Sequence, residues 1–209
     1  PSEGVFLSLF TRQCMGDTSL YQNLLCNASF YRLLLQLDDD LAAEARRRGC
    51  ACGDRLDSAC YPRKPRGVPK ELEDAYSRRR SFCCAKEGCR KRTTPPSFRF
   101  LGRKVFVGVV VVLITVLRHG ATPARMATLR ELVGVSRRTV ERWREWWQRE
   151  FVQSAFWKAA RGRLRAPLDK SRLPLSLIEA FCAPTEKDRM VDLLRFLLPL
   201  TIASRAQET

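Results

Sequence analysis

Cysteine supplies the sharpest chemical signal in this chain. Cys50-Ala51-Cys52-Gly53 forms one close pair and Cys84-Ala85-Lys86-Glu87-Gly88-Cys89 a second, with thirty-one residues, Gly53 to Cys83, between them. Two such pairs on tight turns can place four thiolates tetrahedrally around one zinc ion. A closed four-sulfur set is structural, because no coordination position is left for a substrate. Gly53 and Gly88 suit turns whose backbone N–H groups face sulfur. The spacings depart from a two-residue knuckle: the first is tighter, the second looser. Cys83 can therefore stand in for Cys84, and Cys60 for Cys52. Buried free thiols and a redox pair are the competing readings. The chain has nine cysteines, the others being Cys14, Cys26 and Cys182. An odd number, behind a start whose apolar bands are short and broken, argues against a secreted disulfide scaffold.

Arginine supplies the second signal. In MATLRELVGVSRRTVERWREWW, Met126 to Trp147, a short helix over Met126–Val133 turns Leu129, Leu132 and Val133 inward. Gly134 permits a tight turn, Val135 plugs the angle, and Ser136 caps a second helix, Arg137–Arg149. Val140, Trp143 and Trp147 recur at the spacing of a core-facing side. The opposite side carries Arg137, Arg138, Glu141, Arg142 and Glu145. A helix of this kind fits the major groove of duplex DNA with its N-terminal residues nearest the base edges. Arg137 and Arg138 are the first candidates for base contact. Thr139 suits a thymine methyl or a phosphate, and Glu141 a cytosine amine or a neighbouring arginine. Arg142 follows one turn on, and Arg144 points to backbone contact. A plain helical hairpin with a charged surface is the bland alternative.

The charge agrees with a polyanionic partner. Lys and Arg number 38 against 22 Asp and Glu, a net charge of +16, far beyond what solubility needs. Residues 61–104 hold fourteen basic and four acidic side chains, while residues 1–48 hold five and six. Arg63, Lys64 and Arg66 precede the second cysteine pair, and Arg90, Lys91 and Arg92 follow it. With Arg78, Arg79 and Arg80 they predict a basic surface that touches phosphates more than bases. Asp38–Asp40 reads as a solvated acidic face.

These groups require a mainly α fold in four regions. Residues 1–49 predict a helical N-terminal region, clearest over Phe30–Arg48 and capped by Asn27 or Ser29. Residues 50–103 predict a small zinc β-ribbon with basic flanks, broken by Pro62, Pro65 and Pro69. Residues 104–150 predict a three-helix helix-turn-helix domain. Its first helix is the apolar run Val105–Leu117, whose branched residues favour a strand by propensity. That run is thirteen residues, short of the about 20 needed to span a bilayer. Phe98, Phe100 and Leu101 are expected where ribbon and core meet. Residues 151–209 predict a helical C-terminal region, anchored by Phe156–Trp157 and ending in a helix capped by Thr185.

RSFCCAKEGCRKR, Arg80 to Arg92, and GVSRRTVERW, Gly134 to Trp143, together resemble the DNA-binding regions of some bacterial insertion-sequence proteins. The resemblance covers about half the chain. It implies Cys84 and Cys89 as the second ligand pair and Ser136–Arg142 as the reading helix. It further implies a role in recognising element ends or regulating transposition.

Catalysis is not expected. Phosphoryl transfer on DNA uses paired carboxylates around metal ions, and Glu71, Glu73, Asp74, Glu87 and Glu131 have no such arrangement. His119 is the sole histidine, and no glycine-rich phosphate loop occurs. The expected protein is therefore a sequence-specific double-stranded DNA binder with structural zinc, working as a homo-oligomer or beside a catalytic partner. It is expected in the cytoplasm, on the nucleoid, without membrane contact. An RNA-binding assembly subunit is the second reading, and a recombinase or nuclease with a disguised site the third.

Overall fold

A computed structural model describes residues 20–25, 27–63, 74–101, 105–164 and 167–202. The chain is mainly helical with a small antiparallel sheet. In order, the elements are α1 (Leu20–Leu25), α2 (Ala28–Arg48), β1 (Leu56–Ser58), β2 (Tyr61–Pro62), α3 (Asp74–Ser77), β3 (Arg78–Arg79), β4 (Phe82–Cys84) and β5 (Arg92–Thr93). There follow β6 (Phe100–Leu101), β7 (Val105–Phe106), α4 (Val107–His119), α5 (Pro123–Val133), α6 (Arg137–Trp146), a π-turn (Trp147–Phe151), α7 (Ala155–Ala160), α8 (Leu175–Glu179) and α9 (Glu186–Leu197). Short 3-10 turns cover Arg161–Arg163, Lys170–Arg172 and Leu198–Thr201.

The larger core forms around α4. Val110 to Ile114 are all fully buried, as expected of a helix apolar on every side. Its branched residues would favour a strand, but α1, α6 and α8 pack against it, and burial outweighs propensity. Only Val105–Phe106, at the head of the apolar run, is extended; it pairs with β6. Thr115 is tolerated inside because its hydroxyl donates to the Val111 carbonyl at 2.9 Å. Phe98 and Phe100 join this core, where the sequence places them. On α9, Met190, Leu193, Leu194 and Leu197 face inward, and Thr185 caps its first turn by accepting from the Asp188 N–H.

Helix α2 starts where Asn27 accepts a hydrogen bond from the Phe30 N–H. Its buried positions Phe30, Tyr31, Leu34, Asp38, Ala42 and Ala45 follow the helical period. The first half of this stripe joins the larger core. Ala42 and Ala45 instead meet Cys50, Leu56, Phe82 and Cys84 in a second, smaller cluster. Strand β4 is central to the three-stranded sheet, with Leu56 opposite Cys84 and Cys83 opposite Arg92.

Two expectations about charge are corrected. Asp38 is not part of a solvated acidic face; it is 1% exposed. Its carboxylate accepts from the Ser97 hydroxyl at 2.5 Å, the Phe98 N–H at 2.6 Å and the Arg99 guanidinium at 2.8 Å. Arg99, 0% exposed in its side chain, also donates to the Tyr76 and Arg78 carbonyls. Nor does Arg79 belong to a basic surface. It is buried and donates to the Pro95 and Pro96 carbonyls. The half-buried Arg80 bonds to Asp39 at 2.6 Å. In this segment, arginine serves as a lock between loops.

Candidate functional site

Cys50, Cys52, Cys84 and Cys89 converge, all four sulfurs lying within 4.8 Å of one another. Cys50 Sγ is 3.8 Å from Cys89 Sγ, and Cys52 Sγ is 3.5 Å from Cys84 Sγ. Zinc–sulfur bonds of about 2.3 Å in a tetrahedron put neighbouring sulfurs about 3.8 Å apart. The two closest pairs are near that spacing, so the four residues could hold a metal ion of that size.

Backbone turns set this spacing. The Gly53 N–H donates to the Cys50 carbonyl and the Cys50 N–H to the Asp54 carbonyl, both at 2.9 Å, which curls Cys50 and Cys52 toward one point. Gly53 adopts φ +86° and Gly88 φ +82°, the left-handed region that glycine enters without steric cost. On the other side, the Cys89 N–H reaches the Lys86 carbonyl and the Cys84 N–H the Lys91 carbonyl. Arg90, at φ +42°, then turns the chain into β5.

The alternatives left open by the spacing are resolved by the sheet. Cys83 and Cys84 are adjacent in β4, so their side chains leave opposite faces. Cys84 turns into the cluster, and the Cys83 thiol donates to the Arg90 carbonyl at 3.3 Å. Cys60 lies elsewhere, against Ser58 and the Ser81 carbonyl. Burial pushes the Cys84 thiol up to about 12, while the Asp54 backbone N–H and the Cys84 thiol draw exposed Cys52 down to about 7. Cys14 and Cys26 lie outside the described residues.

The second candidate group is carried by α5 and α6. Thr122 accepts from the Arg125 N–H and Pro123 opens α5, three residues earlier than the apolar period marks. Gly134, at φ +65°, ends it by donating to the Arg130 carbonyl. Val135 is buried between the helices. Ser136 then accepts from the Thr139 N–H at 3.3 Å, its hydroxyl lying 3.0 Å from that of Thr139. Behind α6, Val140, Trp143 and Trp147 are buried. In front, Arg137, Arg138, Glu141, Arg142 and Arg144 are exposed. Arg137 pairs with Glu141 at 3.4 Å, both more than half exposed, a contact weak enough for a ligand to displace.

No family model matches the chain, and no curated protein or solved structure is detectably similar to it.

The remaining predicted cations are placed unevenly. Arg90, Lys91 and Arg92 are exposed on the turn after Cys89, with the Arg92 guanidinium 5.7 Å from the Tyr61 ring. Arg63 is half-buried, its N–H bonded to the Ser77 carbonyl. Lys64 and Arg66 lie outside the described residues. The structure therefore brings Arg90–Arg92 beside the four sulfurs and Arg137–Arg144 together on one helix. The Asp38–Arg99 lock between these regions was missed in the sequence, because nothing local marks one aspartate of three as buried. Among the described residues no helix is long and apolar enough to cross a membrane.

Proposed function

We propose that this chain is a sequence-specific double-stranded DNA-binding protein in which α5 and α6 form a helix-turn-helix and the four cysteines hold a structural zinc. One observation carries the reading: tryptophans bury one side of a capped helix while Arg137, Arg138 and Arg142 stand exposed on the other. A helix so mounted presents its N-terminal arginines to the major groove, where arginine pairs with guanine through two hydrogen bonds. The zinc ribbon sets Arg90, Lys91 and Arg92 against phosphates, which position the protein without reading sequence. The net charge of +16 supplies attraction to the backbone.

No group in this reading performs chemistry on DNA; the protein binds and leaves catalysis to others. One recognition helix covers few base pairs, so a second copy or a catalytic partner completes the site. The resemblance to insertion-sequence proteins makes transposition or transcription control its setting, on the nucleoid.

The test begins by selecting a preferred duplex from a random pool with the zinc-loaded full chain. Competition against random duplex, single strands and structured RNA follows at matched salt. The selected duplex is expected to win. Arg138→Ala is expected to reduce discrimination between selected and random duplex by about 1–3 kcal/mol, the worth of one bidentate base contact. Equal affinity for all competitors would overturn specific DNA recognition. Preference for structured RNA would favour an assembly subunit instead, because side chains cannot read the narrow A-form major groove.

A further inference from the structure

The segment from Lys158 to Arg172 is unusually one-signed. It contains six basic residues, and Asp169 is its sole carboxylate. That carboxylate is already committed. Asp169 accepts from the Ser171 hydroxyl at 2.7 Å and the Ser171 N–H at 2.8 Å, bonds that hold it below the usual carboxylate range. Arg172 is also engaged, with Glu179 at 3.3 Å. Lys158, Arg161, Arg163 and Lys170 are exposed, and among the described residues none of them forms an ion pair.

This strip is fixed to the far end of α6. Trp147 packs at a tilt against Phe151 with centroids 4.5 Å apart, and Phe151 against Trp157 at 5.0 Å. Ser154 caps α7 by accepting from the Trp157 N–H, and its hydroxyl donates to the Phe151 carbonyl. Trp157 and Ala160 face the core, leaving Lys158 and Arg161 outward. Gln148 then donates to the Ser171 carbonyl at 2.7 Å, tying the Lys170–Arg172 turn to the same helix end.

We propose that Lys158, Arg161, Arg163 and Lys170 form a second, sequence-independent binding surface for the phosphates of duplex DNA flanking the site read by α6. The inference rests on the proposed reading of α6. With its N-terminus at the base edges, a ten-residue helix extends about 15 Å. A recognition helix lies in the major groove with its N-terminal residues at the base edges, and the groove is about 12 Å wide, so the C-terminal end of α6 comes out beside the phosphate rim. Cations carried there meet backbone, and a helix as short as α7 has no length to read bases.

The experiment uses the zinc-loaded full chain carrying K158Q, R161Q and R163Q, with wild type and Arg138→Ala beside it. Affinity is measured from low to high salt on selected and random duplexes of about 30 base pairs, long enough to offer flanking phosphates. The triple variant is expected to bind both duplexes about equally more weakly, roughly tenfold or more at low salt. Its slope of log affinity against log salt should fall by about 0.9 per lost contact, so by roughly 2–3 in total. Its preference for the selected duplex should stay intact. Unchanged affinity and slope, with wild-type selectivity present, would overturn this surface and leave the α6 reading standing. Selectivity absent from wild type and untouched by Arg138→Ala would overturn the α6 reading, and this inference with it. Loss of selectivity in the triple variant would mean that the strip reads bases, and would overturn phosphate contact. Binding of wild type, but not the triple variant, to anionic lipid vesicles in place of duplex would overturn it as well. All four residues are exposed, so the thermal midpoint should not move; Lys170→Gln alone, with a slope loss of about 0.9, decides the matter if the triple variant does not fold.

Discussion

Asp38 accepts from a hydroxyl, a backbone N–H and a guanidinium in a place closed to solvent. Removing it leaves Arg99 buried without its counter-charge, and such a loss costs about 3–5 kcal/mol. Asp38→Ala should therefore shift urea unfolding by that amount, and Ser97→Ala by about 1–3 kcal/mol, since the hydroxyl also accepts from the Arg99 and Phe100 N–H groups. An Asp38→Ala midpoint within error of wild type would remove the lock from this account. The cysteines give a sharper contrast. Cys84→Ser should abolish binding of one zinc per chain by elemental analysis, while Cys83→Ser and Cys60→Ser should keep it. Stoichiometric zinc in Cys84→Ser would break the assignment. A cysteine cluster was legible in the sequence through the pairing of the thiols and their flanking glycines. The sequence could not choose between Cys83 and Cys84, because that choice depends on the phase of a strand set by its partners. Arg79 and Arg99 were illegible for a related reason: a charged side chain looks the same in sequence whether it meets water or a stranded carbonyl.

Helix boundaries were readable where a side chain closes the end locally. Asn27, Ser136 and Thr185 each cap the helix expected of them. Ser136 also stands among the candidate DNA contacts, and the structure gives its hydroxyl a prior task in capping. Ser136→Ala should cost about 1 kcal/mol in unfolding experiments, and Ser136→Gly roughly a few tenths. A neutral alanine variant with impaired DNA binding would make Ser136 a contact rather than a cap. The strand propensity of the valine-rich run prevails only at its head, where Val105–Phe106 pairs as a strand, and yields to burial from Val107 on, where the run becomes α4. The expected Arg137–Arg149 helix is α-helical only to Trp146. A π-turn then inserts a residue and brings Trp147 and Phe151 both into the core. That widened turn has no local sequence mark; it answers to aromatic packing, and it aims α7 and its cations.

At the scale of the molecule, the two clusters differ in what holds them. The larger joins α1, α4, α6, α8 and α9 through valine, leucine and tryptophan. The smaller offers one leucine, one phenylalanine and two alanines beside its cysteines, too little apolar surface to fix a three-stranded sheet by burial alone. Metal should therefore supply much of the folding energy of that sheet and little of the larger core. Chelation followed by hydrogen exchange tests this directly. The amides of Ala59, Cys84 and Ala85, which bond across the sheet, should lose protection, while those of Val111 to Thr115 in α4 should keep theirs. Asp38 lies on α2 between the clusters, and its bonds to Ser97, Phe98 and Arg99 fasten that helix to the chain that leads into the larger core. Unfolding should therefore stop near that residue rather than spread through α2. Equal loss of protection in both regions would show that the lock transmits the ribbon's collapse instead of containing it, and full protection without metal would show that the cysteines pack as thiols.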